Sequence, residues 1–246
     1  GMRCGGSGRL KSSLFLPPPR PLRLGFSSWQ SLSCCRAISR YSMPIAPTAL
    51  FAQVGLKIEG SARWGERVPC TSPGVYAISL CGDPRDNGCL RATSGISVDL
   101  VRAWIDSVPT FLFNGTARPD ASDVAAFLER FWMPDECIVY IGKATCLRQR
   151  LGSFVRHRLG ERRPHAGGHW LKTLADCDNL FVHFCVGDSA DAAEKEESEV
   201  IEAFRKGVSA ATKARLFNPQ MPIPFANREH PKGTRKQNLI AGDVRR

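Results

Sequence analysis

The segment at residues 137–151 constrains the fold most, because its pattern changes from that of a strand to that of a helix within a few positions. Residues 138–141 are β-branched or aromatic, which is typical of a buried strand. Gly142 interrupts that run. Apolar side chains then recur at helical spacing, at Leu147, Leu151 and Phe154. The segment therefore predicts a strand that ends near Tyr140 and is followed closely by a helix.

The same junction carries groups that bind phosphate. Tyr140 lies at the predicted strand end, and three cations lie on or just before the helix: Lys143, Arg148 and Arg150. A phenol and several cations gathered at one junction predict a phosphate site. Arg150 adjoins the inner stripe of the helix, so it either reaches across the sheet towards a ligand or stays solvated.

Apolar periodicity and capping residues predict the remaining elements. Further strands are expected at residues 73–80 and 180–186. Helices are expected at residues 48–56, 97–108 (capped by Ser97), about 120–131 (capped by Asp120 or Ser122), 169–174 and 191–205. Residues 111–119 and 218–227 have the composition of irregular loops. This mixture of strands and helices predicts an α+β fold.

The helix at residues 191–205 carries one carboxylate where an apolar side chain is expected. Its apolar stripe consists of Ala193, Val200, Ile201 and Phe204. Glu197 falls in the middle of that stripe. A carboxylate on a buried face is costly unless it meets a cation, a metal or hydrogen-bond donors. Glu197 is therefore either an ion-pair partner or a metal ligand, and helical geometry alone favours the ion pair.

The net charge of +11 is unevenly distributed along the chain. The residues before Glu59 contain eight Lys or Arg and no acid, which leaves only +3 for the rest. Beyond that point, two basic segments at residues 143–172 and 205–246 flank an acidic one at 176–202. This arrangement predicts either a phosphate-binding face beside a metal-binding carboxylate or ordinary solvated helix faces.

Residues 1–45 combine proline, serine and scattered arginines with no acid, a composition that predicts a disordered basic tail. The tail resembles a mitochondrial transit peptide. We favour the alternative of an over-long reading frame with Met43 as the natural start, and hence a cytoplasmic protein. No apolar run approaches the roughly 18 residues that a membrane span needs, so a soluble protein without membrane contact is expected.

The ten cysteines include no Cys-x-x-Cys pair, which argues against a zinc ribbon. Cys137 and Cys185 lie within apolar runs and are interpreted as small core residues. Reduced thiols in an intracellular protein are therefore expected.

Several short motifs resemble those of one family. Gly74-Val75-Tyr76 and Tyr140-Ile141-Gly142, each on a predicted strand, resemble the signature of the GIY-YIG nucleases. The stretch after these motifs resembles that of the nuclease subunit of bacterial nucleotide-excision repair, at Lys143-Ala144, Leu147 and Arg150-Leu151. Glu197 with Val200-Ile201 resembles the Glu-x-x-Leu-Ile helix of that subunit. Residues 224–227 resemble its closing Pro-x-x-Asn. The matches occur in the family's order over about residues 72–227.

The resemblance implies a small three-stranded antiparallel sheet flanked by helices. The nuclease-like domain would span residues 72–227, with an extension at 46–71 before it and a basic tail at 228–246 after it. Tyr76 and Tyr140 are 64 positions apart, whereas the family joins them by a tight hairpin. Residues 81–136 would therefore form a helical insertion, which is tolerable because loop closure costs grow slowly with length. His157 is the nearest match to a histidine of some family members and is expected at the surface.

The resemblance also implies a metal-dependent endonuclease that hydrolyses phosphodiester bonds of DNA, in repair or in the processing of branched DNA. A monomer is assumed. Tyr76 would position or deprotonate the attacking water beside Tyr140, and Arg150 would hold the scissile phosphate. Glu197 would hold Mg²⁺ or Mn²⁺. Substrate-binding roles fall to Lys143, Arg148 and Asn227. The alternative is a non-catalytic nucleic-acid-binding or protein-interaction module that retains the fold.

Overall fold

The structure is a computed structural model that describes residues 44–162 and 168–245, so almost all of the basic tail predicted at residues 1–45 lies outside the described residues. The elements in chain order are α1 (Pro47–Ala52), β1 (Gly60–Arg63), β2 (Gly74–Ser79), α2 (Val98–Ser107), β3 (Leu112–Phe113), β4 (Thr116–Ala117), α3 (Ala121–Glu129), β5 (Ile138–Ala144), α4 (Leu147–Arg156), β6 (Phe181–Val186), α5 (Ala190–Gly207), α6 (Ala210–Arg215) and β7 (Ile240–Ala241). Single 3₁₀ turns occur at Leu171–Thr173 and Cys177–Asn179. The α+β class predicted from the sequence is confirmed.

Within the described residues, the main sheet is antiparallel with the strand order β1-β6-β2-β5. The predicted count of three strands was wrong, because β1 pairs with β6 and adds a fourth. Strand β1 is only four residues long, and its members alternate between exposed and half-buried positions. Its sequence, Gly-Ser-Ala-Arg, lacks the β-branched and aromatic residues by which strands are recognised.

The two strands that carry the tyrosines are neighbours in this sheet. Tyr76 on β2 lies opposite Gly142 on β5, and Ile78 lies opposite Tyr140. Because side chains alternate between the faces of a strand, Tyr76 and Tyr140 are diagonal neighbours on one face. The long connection between the strands therefore does not prevent their antiparallel pairing.

The predicted helices of this connection are present, each with a capping side chain. Ser97 accepts a hydrogen bond from the backbone N–H of Leu100 at the start of α2, and Asp120 accepts one from Ser122 at the start of α3. Helices α2 and α3 pack against each other. Between them, the stretch predicted to be irregular forms the β3–β4 hairpin, which turns at Asn114 (φ 50°) and Gly115 (φ 77°). Positive φ at both turn residues matches the right-handed twist of the strands.

The C-terminal residues predicted to form a polar tail instead pack against the domain. Strand β7 pairs with β3 to give a second small sheet. Lys236 is 2% exposed, and its Nζ donates to the backbone oxygens of Pro224, at 3.1 Å, and Phe225. The same Nζ lies 4.6 Å from the ring centre of Trp170. Burial holds the pKa of Lys236 well below its usual range.

Glycine is required at position 142 because two rings occupy the space beside it. A Cβ atom there would lie 2.8 Å from the Tyr76 hydroxyl oxygen and 2.7 Å from a ring carbon of Tyr140. The ring centres of the two tyrosines are 6.0 Å apart. On the far side, Phe154 of α4 packs edge-on against Tyr140 at 5.5 Å. Gly142 thus allows both phenols to lie over the backbone of β5.

We expect Gly142→Ala to lower the free energy of unfolding by about 1–3 kcal/mol, because the added methyl overpacks a filled region. The control is Gly152→Ala within α4, where the nearest atom is the flexible end of Arg156 at 3.3 Å. That change should leave stability equal or raise it by about 0.5–1 kcal/mol, since alanine favours helix. Urea unfolding of the two variants beside the parent measures both effects. Equal stability of the two variants would contradict the packing assigned to Gly142.

Candidate functional site

A cavity of about 810 Å³ opens beside β5, between α5 and the segment at residues 226–244. Side chains from all three regions line it, among them Tyr140, Lys143, Glu194, Glu197, Asn227 and Arg228. Four of the residues predicted from the sequence therefore meet at one concave surface. Tyr76 is completely buried behind Tyr140 and does not line the cavity.

Burial disfavours the phenolate form of both tyrosines. Desolvation, reinforced by the neighbouring Tyr140, raises the pKa of Tyr76 well above its usual value. Desolvation, followed by the charge of Glu197, raises the pKa of Tyr140 to about 12. Phenols of this kind donate hydrogen bonds, and they are poor bases.

Arg150 lies on α4 at the edge of the tyrosine pair. It is half-buried, and its charge and its hydrogen bonding both oppose the rise in the pKa of Tyr76. The same guanidinium opposes the rise in the pKa of Tyr140 and of Glu197. The sequence left open whether Arg150 reaches across the sheet or stays solvated. In the structure it lies inward, close enough to Tyr76, Tyr140 and Glu197 to influence the pKa of each.

Glu197 is a largely buried carboxylate near two cations, Lys143 and Arg150. Its side chain is 23% exposed, and the Nζ of Lys143 lies 3.9 Å away. That Nζ is much closer to Glu194, at 2.7 Å. Desolvation raises the pKa of Glu197 to about 7, against the opposing charges of Lys143 and Arg150. The ion pair that helical geometry favoured is therefore made chiefly by the neighbouring Glu194.

Two residues predicted to bind substrate are engaged by the protein backbone. The Asn227 amide accepts a hydrogen bond from the N–H of Ile141, at 2.9 Å, and donates one to its carbonyl oxygen, at 2.8 Å. Asn227 therefore orients its loop against β5. The Arg148 guanidinium donates to the carbonyl oxygen of Pro69, outside the cavity lining, and this bond ties α4 to the segment before β2.

The histidine expected at the surface is buried. His157 is 3% exposed, and its ring stacks at 5.1 Å on that of His169, which is completely buried. Its Nε2 lies 2.8 Å from the carbonyl oxygen of Glu161. Desolvation lowers the pKa of His157, so the ring is held in its neutral form as part of the core.

Sequence reasoning missed the far wall of the cavity, which is formed by a short basic turn at residues 228–235. Glu229 and Arg235 form a backbone bridge at its base, and His230 donates to the carbonyl oxygen of Thr234 at 3.0 Å. Lys232 and Arg235 on this turn are exposed and line the cavity. The charge count had indicated a basic C-terminal segment, but nothing in the sequence showed that it folds back beside β5.

Comparison of the chain with protein-family models, with curated proteins and with solved structures found no match in any of the three. In the part of the chain that the structure describes, no helix has the length and apolar character needed to cross a membrane. Assignment of the site therefore depends on its own geometry.

We expect Glu197→Gln to stabilise the protein at pH 8 by on the order of 2 kcal/mol. A carboxyl whose pKa rises on folding, from 4.5 to about 7, is ionised more readily in the unfolded chain. The free energy of unfolding therefore falls as pH rises through this window, and glutamine removes that loss. The difference should vanish below about pH 4.5.

Urea unfolding across pH 4–8 measures this difference. The matched control is Glu199→Gln, on the same helix but 46% exposed. A pH-independent difference between Glu197→Gln and the parent would contradict the burial assigned to the carboxylate.

Proposed function

We propose that the chain is a metal-dependent endonuclease of the GIY-YIG type, which hydrolyses phosphodiester bonds of DNA. The observation that carries the proposal is that Glu197 and Tyr140 line one cavity and that Arg150, which is not part of the lining, is close enough to oppose the rise in the pKa of both. A binding surface for nucleic acid gains nothing from a desolvated carboxylate. The antiparallel β2–β5 pair, with the two tyrosines on one face, is further support.

In this proposal, Arg150 holds the scissile phosphate, because its planar guanidinium matches two phosphate oxygens and balances the developing charge. Tyr140 reaches the cavity and donates a hydrogen bond to the attacking water or to a phosphate oxygen. Tyr76 orients Tyr140 from behind. The raised pKa of both phenols disfavours the alternative in which a tyrosine deprotonates the water.

Glu197 is the residue that would hold Mg²⁺ or Mn²⁺. Its carboxylate fits such an ion because it is a largely desolvated oxygen ligand beside the cavity. A bound divalent ion would supply positive charge to the phosphoryl group and the leaving oxygen. Lys143 neutralises Glu194 at the rim and thereby reduces the negative charge that approaching DNA meets.

A second candidate function is a non-cleaving nucleic-acid-binding module. The complete burial of Tyr76 favours it, because solvent does not reach that hydroxyl in this conformation. The two candidates differ in whether Glu197 matters for strand breakage.

We expect the purified chain to nick plasmid, flap or junction DNA when Mg²⁺ or Mn²⁺ is present. Glu197→Ala and Arg150→Ala should each lower the rate by about 100-fold or more, because each removes charge stabilisation from the transition state. Glu199→Ala, which removes an exposed carboxylate from the same helix, should cleave normally. Cleavage that persists unchanged in Glu197→Ala would rule out the proposal, and binding without cleavage by the parent would favour the second candidate.

DNA bound at the cavity should contact the basic turn. We expect Lys232→Ala/Arg235→Ala to weaken DNA binding and to reduce the dependence of log K on log salt by about 2, the loss of two phosphate contacts. Anisotropy titrations with chelator, in the Glu197→Ala background, measure this without cleavage. Arg67→Ala/Arg118→Ala removes two exposed cations outside the cavity lining and is the charge-matched control. Equal slopes for the two double variants would place the DNA elsewhere.

A further inference from the structure

A second group of metal-ligand side chains lies at the other end of the tyrosine strands. Cys81 lies two residues after the end of β2, and Asp86 and Cys89 lie on the loop that follows. The two sulfur atoms and a carboxylate oxygen of Asp86 all lie within 4.8 Å of one another. Cys81 is completely buried, Cys89 is half-buried and Asp86 is exposed, so the group has an open side.

A third thiol adjoins this group from the neighbouring strand. Cys137 immediately precedes β5, and its carbonyl oxygen accepts a hydrogen bond from Leu80 at 2.9 Å. This bond continues the β2–β5 pairing and brings the residues after Leu80 beside Cys137. The Cys81 thiol is within hydrogen-bonding reach of both Cys89 and Cys137. The Cys137 thiol itself donates to the carbonyl oxygen of Ile45, at 3.4 Å, and its sulfur is outside the set of atoms that lie within 4.8 Å of one another. The candidate ligands are therefore Cys81, Asp86 and Cys89.

The spacing of this set suits a tetrahedral ion. Ligands bound at about 2.3 Å around a tetrahedral centre lie about 3.8 Å apart, so the three candidate atoms need to move by only about 1 Å or less, and water would complete the coordination on the open side. Thiolates favour a soft ion such as Zn²⁺ over Mg²⁺ or Mn²⁺. If these cysteines were ordinary core residues, Asp86 would not be expected to direct an oxygen to within 3.5 Å of the Cys89 sulfur.

Neighbouring groups hold the ligands in place. The backbone N–H of Gly88 donates to the Asp86 carboxylate at 2.7 Å. Nε2 of His183 lies 2.9 Å from the carbonyl oxygen of Cys81. Contacts of this kind orient metal ligands and are a recurrent feature of metal sites.

We propose that Cys81, Asp86 and Cys89 bind one Zn²⁺ ion, which joins the chain just after β2 to the loop that follows it. The site is separate from Glu197 and does not depend on the proposed nuclease function. It would fix the chain at the end of the strand that carries Tyr76. The same loop contacts α1 and the segment before it, since Thr48 donates to the Pro84 oxygen and Asn87 donates to the Pro44 oxygen, both at 2.8 Å.

The test uses the full chain, reduced and stripped of metal, and titrated with Co²⁺. We expect one equivalent to produce thiolate-to-cobalt charge-transfer absorption with tetrahedral d–d bands, and Zn²⁺ to displace it and raise the melting temperature. Cys89→Ser should abolish the charge-transfer bands, and Asp86→Asn should weaken Co²⁺ affinity about 10-fold or more. Cys70→Ser, which replaces a half-buried thiol outside the group, and Glu197→Ala should both retain the bands.

Alkylation of the unmodified chain provides a second readout if Cys89→Ser fails to fold. Zn²⁺ should protect the half-buried Cys89 and leave the labelling of the half-buried Cys70 unchanged. Absence of thiolate–cobalt bands in the parent would overturn the proposal, as would their retention in folded Cys89→Ser. Uniform labelling with and without Zn²⁺ would overturn it as well.

Discussion

The antiparallel pairing of β2 with β5 determines where everything else at the candidate site can lie. Its register sets Tyr76 opposite Gly142 and thereby brings the two phenols together over a backbone that has no side chain in the way. A shift by one residue would move Tyr140 to the other face of the sheet, away from Tyr76. The long connection between the strands can vary without affecting this geometry, because only the register of the pair determines it.

Desolvation then decides which protons the site carries. The two phenols and Glu197 share a poorly solvated region, and each is pushed towards its neutral form. Arg150 acts in the opposite direction on all three. A group of acids around one guanidinium favours the binding of ions. An anion can pair with the guanidinium, and a metal ion can pair with the ionised acids that burial disfavours.

The sequence predicted the elements with strong periodicity and the unusual position of Glu197 within one of them. It failed where structure is made by contacts between distant residues. Strand β1 has no apolar pattern of its own and exists through its pairing with β6. The residue type of Lys236 predicts a solvated side chain, yet it is buried by aromatic rings and carbonyl groups from three other parts of the chain. The β3–β4 hairpin is different, because Asn114-Gly115 is a turn signal that was present in the sequence and was overlooked.

The hydrogen bonds made by Ala226 and Asn227 have a consequence for the protein's behaviour in concentrated solution. Strand β5 lies at the border of the main sheet, where unsatisfied peptide groups invite a strand from another molecule. Ala226 donates to the carbonyl oxygen of Val139, and Asn227 satisfies both peptide groups of Ile141. The loop that contains Ala226 and Asn227 thus occupies hydrogen-bonding groups of β5 that a fifth strand would otherwise use. It blocks intermolecular strand addition along this border and leaves the neighbouring cavity open to a ligand.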